Sequence, residues 1–166
     1  MKELSFYKEF YFFEIKRKDE IEKRINLPII VMTIVVSIHA FIFSSELSEN
    51  FRLFAIVISC INLLLIILIT LFLLKSYSNL YKSHWYKELA NMEDILNFEN
   101  ELIQEANPNF KEIRDNYLIS ELANCSTVNF KLNKDRTEAI AKAKIYMFIT
   151  IILTAFLSIV YIVNLI

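Results

Sequence analysis

Glycine is missing from this chain, although ordinary usage would supply about a dozen in 166 residues. That absence excludes the GxGxxG dinucleotide loop, the Walker A phosphate loop and the GxSxG nucleophile elbow, because each depends on backbone that only glycine supplies. Proline occurs twice, so few positions break a helix. Cysteine also occurs twice, at Cys60 in an apolar run and Cys125 in a polar one, with no CxxC pattern. Both read as free thiols. Charged residues are scarce at 22%, and net charge is −1, so no global field draws the chain to nucleic acid and any anion site must be local.

What is present is apolar. Hydrophobic residues make up 55% of the chain, and mean hydropathy is +0.41. Three stretches approach the length of about 20 residues needed to cross a bilayer. Residues 28–45 carry no formal charge, with His39 the one ionisable group; residues 53–74 and 145–166 are uncharged. The first stretch follows 27 residues rich in charge, and no small-residue cleavage site comes after it, so it is not expected to be a cleavable signal. The expected fold is an all-α integral membrane protein: three transmembrane helices, an N-terminal amphipathic helix at 1–27, a cytoplasmic helical segment at 75–144, and an oligomeric state. Every Lys and Arg except Arg52 lies in 1–27 or 75–144. The positive-inside rule then puts the N-terminus in the cytoplasm and the C-terminus outside, with 46–52 a short outer loop.

The piece FYKEFYFFEI holds six aromatics between Phe6 and Phe13. Its helical spacing predicts a helix over 3–26 whose aromatics form an interfacial belt, a partner face, or packing against the chain's own helices. Pro28 suits the first turn of the first span. Tyr81, Trp85, Leu89, Met92, Leu96 and Ile103 predict an unbroken stalk helix from Lys75 to Ala106, ended by Asn107-Pro108. A new helix is expected at 110–123. Residues 124–134 read as a loop, and Asp135 with Glu138 as a capping box that opens a helix near Arg136.

No catalytic constellation is visible. His84 is the one cytoplasmic histidine and has no partner motif, metal-ligand spacing is absent, and Glu93-Asp94 reads as a solvated acidic face. The chain is expected to be no enzyme and to need no cofactor. Two groups of polar residues stand out. Thr33, Ser37, Ala40 and Ser44 in the first span, Asn62 in the second, and Thr150, Thr154 and Ser158 in the third form stripes. Such stripes mark helix–helix contact or, in an oligomer, the wall of a pore. On the cytoplasmic side, Asn129, Phe130, Lys131, Asn133, Lys134 and Arg136 combine cations, amides and a stacking face. The N–H groups of a helix starting near Arg136 would add to an anion site there. The other reading is a basic belt meeting anionic headgroups.

The segments YKEFYFFEIKRKDEIEKRINLPIIV and NFKLNKDRTEAIAKAKIYMF resemble a group of small bacterial membrane effectors of antiphage nucleotide-signalling systems. In that group an E-x-x-R-K-D-like helix leads through R-x-x-x-P into the first span, and N-x-x-x-N-x-x-R leads into the last. The matching residues are Glu14, Arg17, Lys18, Asp19, Arg24 and Pro28, then Asn129, Asn133 and Arg136. The layout is also similar to SLATT-type effectors, with a third span added. The resemblance to Hailong-type effectors implies a homo-oligomeric ion channel, by analogy a tetramer, in the bacterial inner membrane. Its implied ligand is a short single-stranded oligonucleotide made by a partner nucleotidyltransferase, and its implied signal site includes Arg17 and Lys18 beside the 129–136 cluster. Two rivals follow from the residues alone: a non-conducting adaptor that recruits a cytosolic partner, and a holin-like lysis protein.

Overall fold

A computed structural model describes residues 3–45, 48–77, 85–105 and 108–165. Tyr81, His84 and Asn107, singled out above, lie outside the described residues. The described chain is all-helical: α1 (Leu4–Lys23), α2 (Asn26–Ser44), α3 (Glu49–Ser76), α4 (Met92–Gln104) and α5 (Phe110–Leu165). Three of its helical stretches are long and apolar enough to cross a membrane. Contacts divide the chain into two units, Met1–Glu20 with Tyr81–Lys134, and Ile21–Leu80 with Asp135–Ile166.

The second unit packs α2, α3 and residues 135–165 of α5. The path from α1 into α2 is a tight turn, with Arg24 N–H donating to the Ile21 carbonyl at 3.1 Å and Ile25 N–H to Glu22 at 3.2 Å. Pro28 sits in the first turn of α2, where a helix has no use for its missing N–H. One apolar cluster joins Ile21, Ile25, Ile69, Leu73, Ile140 and Ala143. A second joins Ile42, Phe51, Ala55, Leu157 and Tyr161. Ala55 and Ala143 are fully buried, so helix backbones approach closely there. The outward sides of these helices are apolar as well: Ile34, Phe41, Leu64, Ile67, Phe148 and Ile159 are all exposed. A water-soluble chain does not leave so continuous an apolar surface uncovered.

The first unit packs the start of α1, the segment 85–91, α4 and residues 110–134 of α5. Tyr11, Leu122 and Cys125 form its centre, with Leu4, Tyr7, Ile15 and Leu89 against them. Asn91 caps α4, its Oδ1 accepting from Asp94 N–H at 2.8 Å. Glu93 and Asp94 fall in the first turn of α4, where the helix dipole favours negative charge. Arg114 ties α5 to α4 through Glu99 at 2.9 Å.

Three expectations are corrected. The stalk helix does not run unbroken from Lys75, since α3 ends at Ser76, Tyr77 is extended (φ −82°, ψ 121°), and residues 85–90 have no regular structure. Side chains of α5 bond the backbone of 85–90, which makes the irregular path stable. Residues 124–134 are not a loop but part of α5, and Asp135 is inside that helix, so it caps nothing. Asn and Ser lower helix propensity by bonding local backbone. Here Asn129 and Asn133 find distant partners, while Ser126 and Thr127 bond the carbonyls one turn back at 2.6 and 2.7 Å. With no helix start near Arg136, its free N–H groups are not available to an anion.

Candidate signal-binding surface

The buried side of α5 is polar where it meets α1. Glu14 on α1 and Asn129 and Asn133 on α5 are all fully buried. Asn133 Nδ2 donates to the Glu14 carbonyl and to its Oε2, both at 2.8 Å. The Tyr86 hydroxyl donates to Asn133 Oδ1. Asn129 Oδ1 accepts from Lys87 N–H at 2.9 Å, and its Nδ2 donates to the Lys87 carbonyl at 3.1 Å. The Cys125 thiol donates to the Glu88 carbonyl at 3.4 Å, and burial pushes its pKa up. The two asparagines therefore hold α1 and the 85–90 segment to α5, and neither faces solvent.

Of the remaining candidates, Arg17 and Lys18 are half-buried and Phe130, Lys131 and Lys134 are exposed. The Arg17 guanidinium stands over the Phe130 ring at 5.8 Å, and the Lys18 ammonium over the Tyr86 ring at 5.1 Å. Arg17 also reaches to within 3.7 Å of Glu14 Oε1. Phe130 keeps 42% of its surface exposed, and Lys131 and Lys134 are exposed on the same helix. Lys134 is one turn on from Phe130, so the two share a face. Arg17 of the arm and Phe130 and Lys134 of α5 thus bring cations and an aromatic ring together, and Lys18 with Tyr86 forms a second cation–ring pair. Groups of this kind can stack a base or pair a phosphate.

Arg136 belongs to the second unit and is fully buried. Its Nε donates to the Ser76 carbonyl at 2.6 Å, and a guanidinium nitrogen donates to Glu22 at 3.3 Å. A cation at the C-terminus of α3 meets the negative end of the helix dipole and a carbonyl with no partner inside its own helix. The sequence grouped Arg136 with Lys131 and Lys134, but the helix turns it inward to α3. Ser76, Tyr86 and the backbone of Lys87 were not singled out by sequence. Tyr86 and Lys87 act from irregular backbone and Ser76 from the last residue of α3, positions that no local pattern announces.

The polar stripes of the second unit also separate. Asn62 Nδ2 donates to His39 Nε2 at 2.9 Å and to Thr154 Oγ1 at 3.2 Å, and His39 Nδ1 meets Ser59 Oγ at 2.7 Å. The node links α2, α3 and α5 inside the chain. Thr150 is buried one turn before Thr154, its hydroxyl without a partner among the described residues, and the half-buried Ser158 bonds the Thr154 carbonyl at 2.9 Å. Thr33, Ser37 and Ser44 are exposed instead, their hydroxyls bonded to carbonyls of their own helix at 3.0, 2.9 and 2.8 Å.

These features define a helical protein with three membrane-length apolar helices and a basic, aromatic surface on its polar unit. No family model, curated protein or solved structure matches the chain.

Proposed function

We propose that the chain is the subunit of a homo-oligomeric ion channel in a bacterial inner membrane, gated by a short single-stranded oligonucleotide and serving antiphage defence. The N-terminus and the 75–144 segment lie in the cytoplasm in this reading, and the chain catalyses no reaction. The observation that carries the ligand assignment is Arg17 over Phe130, with Lys18 over Tyr86 and Lys131 and Lys134 exposed on α5. Thr33, Ser37 and Ser44 suit the pore wall better than Thr150 and Thr154. The α2 hydroxyls face outward, whereas the α5 hydroxyls are turned into the chain.

Ion flux through liposomes containing the purified protein, with and without short oligodeoxyadenylate, tests the assignment. Flux should change with the oligonucleotide, and the change should vanish in Lys131→Glu/Lys134→Glu. Ser37→Leu should alter flux in protein that still folds. Flux indifferent to every oligonucleotide, from folded and oligomeric protein, would remove the gated-channel reading.

A second reading rests on the aromatic arm. Phe6, Phe10 and Phe13 are exposed and stacked in sequence, with ring centroids 6.5 and 6.4 Å apart. An adaptor would present this face to a cytosolic protein. Recovery of a stable soluble partner that is lost in Phe10→Ser, without any flux, would favour it.

A further inference from the structure

We infer that the charged end of the second unit holds a binding site for a zwitterionic amine-phosphate headgroup, that of an ethanolamine-type phospholipid. The inference rests on the membrane-spanning reading above. A cleft of about 170 Å³ is lined by Phe72 and Lys75 of α3 and by Asp135, Glu138, Ala139 and Lys142 of α5. Its depth is set by sequence. Lys75 is the first charge after the uncharged run 53–74, and Lys142 precedes the uncharged run 145–166 by one turn. Phospholipid phosphates lie at that boundary.

The charge pattern selects the headgroup. Two ammonium groups and two carboxylates share one small cleft, and among the described residues no ion pair joins them to one another. Lys142 instead lies over the Phe72 ring at 5.9 Å. Phe72 stacks on Tyr146 at 5.7 Å, an aromatic pair of the kind that sits at headgroup level. Lys75 and Lys142 would take the phosphate. Asp135 and Glu138 would take the primary ammonium, whose three N–H donors suit two carboxylates. A choline headgroup has no N–H to donate. A purely anionic headgroup would meet the two carboxylates as like charges.

The test uses the purified full-length protein in a non-ionic detergent, with bound lipid read by native mass spectrometry. Dihexanoyl phosphatidylethanolamine should bind at least about fivefold more tightly than the matching phosphatidylcholine or phosphatidylglycerol, as two extra charge-assisted contacts require. Asp135→Asn/Glu138→Gln should abolish that preference and leave phosphatidylglycerol binding equal or stronger. Lys75→Gln/Lys142→Gln should weaken all three lipids. Each variant is compared at parental helicity and elution volume, and the single variant Glu138→Gln stands in if a pair fails to fold. Soluble phosphoethanolamine that binds as tightly as the lipid would keep the chemistry and assign the cleft to a soluble source. Equal binding of the three lipids, or a preference that survives the carboxylate variants, would overturn the inference. Carbonate washing separates the two failures. Protein stripped from membranes defeats the membrane-spanning reading, whereas protein that stays but shows no lipid preference defeats this inference alone.

Discussion

Asn129 holds Lys87 by both of its backbone groups, accepting from the N–H at 2.9 Å and donating to the carbonyl at 3.1 Å. One buried amide thus replaces the two bonds that a helix or a neighbouring strand would give this stretch. Asn129→Ala should leave both groups unpaired in a half-buried place, at a cost of about 1–2 kcal/mol. The expected result is a thermal midpoint lower by a few degrees and faster hydrogen exchange at Lys87. Exchange at Lys87 unchanged from the parent would show that this amide does not hold the segment.

Two threonines one turn apart on α5 should behave oppositely. Thr154 Oγ1 bonds Asn62, whereas the buried Thr150 hydroxyl has no partner among the described residues. Replacing Thr154 by Val removes an interhelical bond, worth about 0.6 kcal/mol on average between membrane helices. Replacing Thr150 by Val removes an unsatisfied polar atom at constant shape, and should be neutral or stabilising by up to about 1 kcal/mol. Paired denaturation curves in detergent check the order. A larger loss at Thr150 than at Thr154 would mean that its hydroxyl has a partner in the assembled protein.

Oligonucleotide binding at the Arg17–Phe130 surface should weaken with salt, with a log–log slope near −0.7 for each phosphate neutralised. Lys134→Gln should make that slope shallower by about 0.7. Phe130→Ala should cost about 1–3 kcal/mol of binding at every salt concentration, because stacking is not screened as charge is. Fluorescence anisotropy with a labelled oligodeoxyadenylate measures both. A slope unchanged by Lys134→Gln would take that lysine out of the contact.

Cys125 should make the protein sensitive to alkali. Burial raises its thiol above the ordinary value of 9.0, and burial also raises Tyr11 above 10.0. In the unfolded chain these groups lose their protons at the ordinary values, while the folded chain keeps them. The unfolded state then binds fewer protons, so stability falls with rising pH. Their contribution is fully present below about pH 9 and is lost as pH climbs through the raised values. Cys125→Ser should lose part of that dependence between pH 9 and 11 in urea titrations. In the Cys60→Ser background, a soluble maleimide should label Cys125 at neutral pH only after denaturation.

The spans were legible because apolar length is a local property: the uncharged runs at 28–45, 53–74 and 145–166 fall within α2, α3 and the end of α5, apart from a few terminal residues. The start of α5 at Phe110 was legible for a similar reason, since Asn107-Pro108 and Asn109 break and reopen a helix within a few residues. Residues 124–134 were not. Read locally, Asn, Ser and Thr argue for a loop, because their side chains compete for nearby backbone. In the folded chain Asn129 bonds Lys87 and Asn133 bonds Glu14, so the competition is settled by partners 42 and 119 positions away.

The sequence by itself determined that this chain is helical, that three of its stretches are long and apolar enough to cross a bilayer, and that every cation but Arg52 lies in the polar stretches 1–27 and 75–144. Hydrophobic run length and the absence of glycine suffice for that. Only the tertiary structure decided which polar residues face inward. Asn129, Asn133 and Arg136 share a spacing with Lys131 and Lys134 that reads as one basic cluster. Helical rotation sends the first three into buried bonds and leaves the two lysines exposed, Lys134 on the face of Phe130. The reason is the cost of burying a polar group without a partner. Asn129, Asn133 and Arg136 are turned inward where α1, α3 and the 85–90 segment supply partners, and the position of those partners is a property of the fold.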